Sequence, residues 1–229
     1  DLLIFIAEDD GVRKTSRREL GIAISEKWDG ATTVSSTMHI AHQLGISVFA
    51  TGGIGGVHRG AEYSFDVSQD LSALAEIPMV VVSAGAKAIL DLPKTIEMME
   101  TLGITILGYK TGEFPAFYSR ESGILGIHSV GSDHEIANIY KANISSGISS
   151  AVLVANPVPE KDEIPRQEIE SVIDRACKIA AELNIIGKNL TPYLLKEIEQ
   201  KTGGRSLKAN KLLALNNISL GINIVKEMA

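Results

Sequence analysis

A glycine-rich segment, residues 51–60 (TGGIGGVHRG), directly follows the apolar run 46–50 (ISVFA). Its five glycines allow backbone N–H groups to approach a ligand without obstruction by Cβ atoms. Ligands of α/β proteins usually bind where a strand ends. Because His58 and Arg59 lie within it, the segment predicts a binding loop for an anion, with a tight structural turn as the alternative.

Lys87 is the candidate nucleophile. It follows the apolar run 77–82 and lies among the small side chains of residues 83–88 (SAGAKA). Such surroundings solvate an ammonium poorly, lower the lysine pKa and favour the free amine, which forms imines with aldehydes. The alternative is an ordinary solvent-facing lysine in a loop.

Asp70 is a candidate ligand for a hard metal ion such as Mg²⁺ or Mn²⁺, with Asp66 and Ser68 close by in the sequence. The same spacing of aspartates is also common in loops and helix caps. His39 and His42 lie three residues apart without the glutamate of a zinc-protease motif, so we interpret them as packing or surface residues.

Two further polar groups have open interpretations. Residues 13–18 (RKTSRR) concentrate positive charge at a predicted helix entrance, which is typical of an anion site or of a solvated charge run. Asn210, Asn216 and Asn217 interrupt an apolar helix face. Such amides orient substrate hydroxyls or link helices to one another.

Two nucleotide-binding motifs are absent from the sequence. His58 stands where the dinucleotide fingerprint that would begin at Gly53 needs its last glycine. The pair Gly187-Lys188 lacks both the upstream glycine and the following Ser or Thr of a P-loop. Neither nicotinamide nor ATP chemistry is indicated.

The elements that must position these residues alternate between strands and helices. Ser16 and Glu19 have the spacing of a capping box before a helix that ends ahead of Gly30. Further helices are predicted at 33–44, 93–102, 135–144, 167–183, 192–202 with Thr191 as its N-cap, and 206–226, and strands at 2–7, 46–50, 77–82, 104–107 and 151–155. This alternation predicts a three-layer α/β/α fold with a mostly parallel or mixed central sheet, in a single domain over 1–229.

Composition narrows the class of protein. The 229 residues are 45% hydrophobic and 5% aromatic, as in a compact α/β enzyme. A net charge of -6 disfavours nucleic acid as a partner, because neutralising phosphates requires an excess of Lys and Arg. Cys177 is the single cysteine, which favours a reducing compartment such as the cytoplasm or an organelle matrix. No apolar run has the length of a membrane span, so we expect no membrane partner.

Eight segments together resemble one known family, the pseudouridine-5'-phosphate glycosidases, also called indigoidine-synthase-A-like proteins. The similarity covers nearly the whole chain. The segments are, in order, 31–34 (ATTV), 49–60 (FATGGIGGVHRG), 65–71 (FDVSQDL), 83–91 (SAGAKAILD), 114–118 (FPAFY), 155–160 (ANPVPE), 187–192 (GKNLTP) and 206–210 (SLKAN).

The resemblance implies reversible cleavage of pseudouridine 5'-phosphate to uracil and ribose 5-phosphate, in which a carbon–carbon bond breaks. In the family, the lysine matching Lys87 joins C1' of the opened ribose. Protonation of uracil C5 then releases the base and leaves an imine that water hydrolyses. The aspartate matching Asp70 holds Mn²⁺ with waters, and His58 and Asn210 match further active-site positions. The same resemblance assigns three ligands of the sugar phosphate, which are Lys14, Thr51 and Ser68.

The resemblance also implies a homotrimer with its sites near the subunit contacts. The family has an N-terminal segment whose acidic residue protonates the sugar ring oxygen, and the matching part of this sequence begins after it. Gln69 replaces a residue that is usually smaller. Two alternatives stay open: a different Schiff-base phosphosugar enzyme, such as an aldolase or a plain nucleosidase, and a non-catalytic phosphosugar-binding protein. Product analysis tests the first alternative. Under the second, K87A would retain binding and there would be no turnover to lose.

Overall fold

A computed structural model describes residues 2–229 of the chain. Over these residues the strands are β1 Arg13–Thr15, β2 Gly30–Thr32, β3 Val48–Ala50, β4 Val80–Ser83, β5 Thr105–Tyr109, β6 His128–Val130 and β7 Val152–Ala155. The helices are α1 Leu2–Glu8, α2 Leu20–Ser25, α3 Val34–Gln43, α4 Ala61–Ser64, α5 Gln69–Glu76, α6 Leu92–Thr101, α7 Asp133–Ser145, α8 Arg166–Glu182, α9 Leu190–Lys201 and α10 Arg205–Met228. Short 3-10 turns occur at Arg17–Glu19, Glu160–Asp162 and Gly187–Asn189.

The main sheet has the strand order β3-β4-β7-β5-β6, and every neighbouring pair in it is parallel. Val82 of β4 lies opposite Ala50 of β3 and Val154 of β7, so the three strands end together. Strands β1 and β2 form a separate parallel pair. The carboxyl ends of the five strands therefore define one edge, where ligands of such sheets bind.

Helices cover both faces of this sheet. On one face, Val80 and Val82 pack with Leu220 and Ile224 of α10 and with Ile136 of α7. On the other face, the core is built from helices α3, α5, α6, α8 and α9. Buried strands with β-branched residues on both faces are typical of parallel sheets. The three-layer α/β/α fold with a mostly parallel sheet is confirmed.

Most predicted helices are present because their end signals work as expected. Thr33 is the N-cap of α3, and Gly45 adopts a positive φ just after that helix ends. The Asp91 side chain accepts a hydrogen bond from the Lys94 N–H at the start of α6, and Gly103 has a φ of +67° beyond its end. No helix over residues 2–229 is both long and apolar enough to cross a membrane.

Two predictions from the sequence were wrong. Residues 2–7, interpreted as a buried strand, belong to helix α1, where Ile4 and Phe5 are 55% and 39% exposed. A short run of uniformly apolar residues has no period that distinguishes strand from helix. The N-cap of α9 is Asn189 instead of Thr191, which lies in the first helical turn. Strands β1, β2 and β6 and helices α4 and α5 are short elements that were not predicted.

Candidate active site

A cavity of about 240 Å³ lies beside the glycine loop, which we define as residues 51–60. Five of the seven sequence-predicted site residues line it: Lys14, His58, Ser68, Asp70 and Lys87. The five come from four separate stretches of the chain. The fold thus brings together the candidate nucleophile, the candidate metal ligand and part of the basic segment.

The glycine loop runs directly against the segment that carries Lys87. The Ile54 N–H donates to the Gly85 carbonyl at 3.1 Å, and the Lys87 N–H donates to the Ile54 carbonyl at 3.0 Å. A Cβ added to Gly55 would lie 2.8 Å from Oδ2 of Asp70. The Ser68 side chain lies nearer still to that Cβ position. Close approach of the backbone to these two side chains, and not a positive φ, is therefore the reason for glycine at position 55.

Lys87 is mostly buried, and among residues 2–229 its ammonium group has no hydrogen bond or ion pair. Burial lowers the pKa of Lys87, and the positive charge of Lys14 lowers it further, while the Asp70 carboxylate opposes both effects. The free amine is thus more populated than in an exposed lysine. This agrees with the nucleophile predicted from the small side chains around it.

His58 lies in the same cavity. Its backbone N–H donates to the Asp66 carbonyl at 3.0 Å, which joins the two sides of the 58–66 turn. Burial lowers the pKa of His58, the positive charges of Lys14 and Lys87 also lower it, and the Asp66 carboxylate raises it. The imidazole is therefore neutral around pH 7 and can accept a proton.

Asp70 is a buried carboxylate, 4% exposed, held by two backbone donors. Its Oδ1 accepts from the Ser35 N–H at 2.9 Å, and its Oδ2 accepts from the Gly55 N–H at 2.8 Å. The Ser68 hydroxyl caps α5 by accepting from the Asp70 N–H at 3.2 Å. Each carboxylate oxygen has a second lone pair, so the orientation of the group is set while acceptor capacity remains.

These residues fit a hard divalent ion held by one carboxylate and completed by water. Mg²⁺-type sites use one or two carboxylates and retain several waters. Over residues 2–229 no group of three or more His, Cys, Asp or Glu side chains is placed to hold a metal ion. Asp70 is the residue that would hold the ion.

The basic segment forms another wall of the cavity. Lys14 lies in β1 and Arg18 in the following turn, and both line the cavity with Thr33 and Ser35 from the start of α3. The Glu19 carboxylate accepts from the Ser16 N–H at 2.9 Å, as in the predicted capping box. Two cations beside hydroxyls and a helix N-terminus suit a phosphate group. Arg18 and Thr33 were not singled out, although Arg18 belongs to the basic run that was.

The remaining two predicted residues, Thr51 and Asn210, do not line this cavity. Thr51 is the first residue of the glycine loop, and Asn210 of α10 lies against the second, Gly52. A Cβ added to Gly52 would lie 3.0 Å from Oδ1 of Asn210. Asn216 is a link between elements, since its side-chain amide donates to the Pro157 carbonyl at 3.2 Å. His39 and His42 are in α3 and do not line the cavity, in agreement with the sequence interpretation.

Fold and cavity together define a class: an α/β/α protein with a cavity at the carboxyl edge of a parallel sheet, lined by a mostly buried lysine, a buried carboxylate and basic side chains. The model of the family described as indigoidine synthase A like protein matches residues 1–227. The chain belongs to this family, and the resemblance noted in the sequence is confirmed.

Named relatives extend over most of the chain. A pseudouridine-5'-phosphate glycosidase of Mesorhizobium japonicum is 49% identical over 215 residues, which are 94% of this chain and 70% of that protein. One of Brachyspira hyodysenteriae is 47% identical over 225 residues, with 98% and 73% covered.

Solved structures show the same fold. An indigoidine synthase A-like protein from Thermotoga maritima aligns with a TM-score of 0.90 at 40% identity, covering 99% of this chain and 74% of that one. The prealnumycin C-glycosynthase AlnA, solved in complex with ribulose 5-phosphate, aligns with a TM-score of 0.92 at 34% identity, covering 99% and 75%.

Proposed function

We propose that this chain reversibly cleaves the C–C glycosidic bond of pseudouridine 5'-phosphate to give uracil and ribose 5-phosphate, through an imine between Lys87 and ribose. The observation that carries the proposal is Lys87 itself: a mostly buried amine with a lowered pKa and no hydrogen bond or ion pair among residues 2–229, in a cavity with cationic groups. The names of the 46–49% identical relatives supply the substrate.

In this proposal, the cavity wall that contains Lys14 and Arg18 binds the phosphate. By the family resemblance, Lys14, Thr51 and Ser68 bind the sugar phosphate, and the cavity places two of these three side chains around one space. A phosphate anchored there holds the ribose near Lys87, so that attack on C1' is effectively intramolecular.

The amine of Lys87 forms a bond to C1' while the C1'–O4' bond breaks, and the new C–N bond places a positive charge on nitrogen. The leaving O4' takes a proton from an acid, the role that the family resemblance gives to an acidic residue of the N-terminal segment. The imine forms in its protonated state, so its hydrolysis gives this proton back. His58 is neutral because of its lowered pKa, so it takes the proton that nitrogen loses. Protonated His58 then delivers that proton to C5 of uracil. The C1'–C5 bond breaks, its electron pair remains with the base, and the nitrogen lone pair forms the C=N bond of the imine. Water hydrolyses this imine to ribose 5-phosphate and the free lysine.

Asp70 is the proposed ligand for Mn²⁺, one ion per subunit, with waters completing the shell. When bound, the ion supplies a positive charge that polarises the uracil ring. The residues of this chain contribute the orientation of the carboxylate, since the Ser35 and Gly55 N–H groups fix both of its oxygens. We also propose a homotrimer in the cytoplasm or an organelle matrix, as the resemblance and the single cysteine suggest.

A second candidate is formation of a C-glycoside from a phosphosugar and a different aglycone. The structural similarity to a C-glycosynthase in complex with ribulose 5-phosphate favours it over a non-catalytic binding protein. Both candidates use the Lys87 imine. They differ in which aglycone leaves or joins C1'.

The test is release of uracil and ribose 5-phosphate from pseudouridine 5'-phosphate by the full chain with Mn²⁺, measured by chromatography. Two matched substrates act as controls. Pseudouridine without the phosphate should react far more slowly, because the basic wall has nothing to bind. Uridine 5'-phosphate tests whether the enzyme distinguishes the C–C from the C–N bond. Absence of uracil from all three with folded protein and metal would overturn the proposal.

A further inference from the structure

Asn217 is a fully buried amide in the middle of helix α10, with 0% of its surface exposed. It is surrounded along the helix by the buried apolar side chains of Leu213, Leu220 and Ile224. Burying an amide costs free energy unless its polar atoms find hydrogen-bond partners. The partners of Asn217 therefore show what this position does.

Both ends of the amide are bonded, and one of them reaches the glycine loop. The Asn217 Nδ2 group donates to the Thr51 carbonyl at 2.7 Å, and its Oδ1 accepts from Nδ2 of Asn156 at 3.0 Å. The Asn156 backbone N–H in turn donates to the Ser83 carbonyl at 2.8 Å. The Asn217 side chain thus connects α10 with the ends of β3 and β7, and the Asn156 backbone extends this link to the end of β4, which lies between them.

The same helix carries Asn210, seven residues earlier. Seven residues make about two helical turns, so the two amides lie on the same side of α10. Asn210 lies against Gly52, and Asn217 holds the carbonyl of Thr51. A shift of α10 along the loop would therefore displace Asn210 and Thr51 relative to each other.

We propose that Asn217 is a positioning residue for the active site: it fixes the start of the glycine loop against α10. Thr51 and Asn210, which match active-site positions of the family although they do not line the cavity themselves, thereby keep a defined position relative to each other. This inference rests on the proposed function. Asn217 itself acts through these two residues and does not contact substrate. Removing its side-chain amide would therefore have a larger effect on kcat than on the thermal stability of the fold.

The neighbouring Asn216 provides a matched control. It has the same side chain on the same helix, and it also links α10 to a backbone carbonyl, that of Pro157 at 3.2 Å. Its bond does not involve the glycine loop. If the asparagines served only to fix α10 to the rest of the fold, N216A and N217A would have equal effects on the rate.

The experiment compares N217A and N216A in the uracil-release assay, alone and combined with N210A, and follows thermal unfolding of each variant. We expect N217A to lower kcat by about ten- to a hundredfold, because small misplacements of reacting groups have effects of this size. N216A should stay within about twofold of the unsubstituted chain. In the N210A background, N217A should lose most of its effect, since residues that act through one another are not additive.

Three results would overturn the proposal: an N217A rate equal to that of N216A, a full additive loss on top of N210A, or a loss confined to thermal stability. N217D serves where N217A does not fold, because it keeps the shape and the acceptor toward Asn156 while removing the amide donor to Thr51. Failure of both variants to fold would make Asn217 a structural link only. Absence of uracil release by the unsubstituted chain would overturn the proposed function, which is a separate result.

Discussion

Lys87 and Lys94 lie seven residues apart and occupy opposite kinds of surroundings. Lys87 is in the cavity, where burial and Lys14 lower its pKa. Lys94 is on the surface of α6, where its ammonium group donates to Glu62 at 2.8 Å and also pairs with Asp91 at 2.9 Å. Hydrogen bonds to these two carboxylates raise the pKa of Lys94.

The contrast shows which surroundings favour the free amine of a lysine in this fold. An exposed ammonium with two acidic partners remains protonated, and only the free amine attacks a carbonyl. A buried ammonium without such partners loses its proton more easily. The mostly buried position of Lys87 after an apolar strand therefore favours its free amine. Lys94 lies at the exposed N-terminus of α6, where its ion pairs give it a structural role.

The largest expected effect separates these two lysines. K87A should reduce uracil release by more than about 10³-fold, because it removes the nitrogen that forms the proposed imine. K94A should remain within about twofold, since substitutions in exposed ion pairs have small effects. Steady-state kinetics measures the rate of uracil release by both variants. Comparable losses in K87A and K94A would contradict the different roles assigned to the two lysines.

We expect the second-largest loss of activity from a substitution that fills space at the edge of the cavity. In G55A, the new Cβ would lie 2.8 Å from Oδ2 of Asp70 and would displace the carboxylate or the Ser68 hydroxyl beside it. We expect a loss of about 10²-fold in activity, with weaker Mn²⁺ binding in titration calorimetry. Gly112 is the matched control, because a Cβ there meets nothing within 4 Å. Equal behaviour of G55A and G112A would contradict the assigned role of the glycine.

The pH dependence of the rate is a further test of the difference between Lys87 and Lys94. Because the pKa of Lys87 is lowered, the reactive amine is lost as the pH falls through that lowered value and is fully present above it. The rate should therefore fall about tenfold per pH unit on the acid side and level off below the pH at which an exposed lysine such as Lys94 titrates. A profile of kcat/KM against pH tests this. A rate still rising at the pH where exposed lysines titrate would show an unperturbed Lys87.

Much of the site could be predicted from the sequence, because its residues lie in short contiguous segments. The glycine-rich segment drew attention to His58, and the basic run 13–18 contained Lys14. The small residues around Lys87 indicated that its pKa is lowered. The Asn217 bond to Thr51 could not be predicted, since it joins residues far apart in the chain. Its open interpretation as an orienting or linking amide is resolved only by the partners that the fold provides.

The errors in the fold have a similar physical origin. Strands β1 and β2 have three residues each and form only one pair, so local sequence carries little signal for them. The apolar run 2–7 forms helix α1 in spite of its strand-like composition. In contrast, α3 and α6 were predicted closely because an N-cap and a terminal glycine mark their ends.

The smallest expected effect concerns Thr95, the inward-facing neighbour of Lys94. Its buried hydroxyl accepts from the Val57 N–H at 3.0 Å and donates to the Asp91 carbonyl at 2.7 Å, which fixes the backbone just before His58. T95V keeps the shape but leaves a buried N–H unpaired, so we expect a loss of about 1–3 kcal/mol in the free energy of unfolding.

Activity of T95V should fall by less than about tenfold, because only the backbone beside His58 is released. Chemical denaturation and steady-state kinetics give the two values, with K94A on the same helix turn as the control. Unchanged stability of T95V would mean that the Val57 N–H finds another partner, contrary to the geometry described here.

The central claim is that the amine of Lys87 forms the imine. The most direct test is brief reduction with borohydride in the presence of ribose 5-phosphate, followed by peptide mass mapping. We expect a reduced ribosyl phosphate adduct on Lys87 and none above background on Lys94. An adduct spread over the exposed lysines, with Lys87 unmodified, would contradict it.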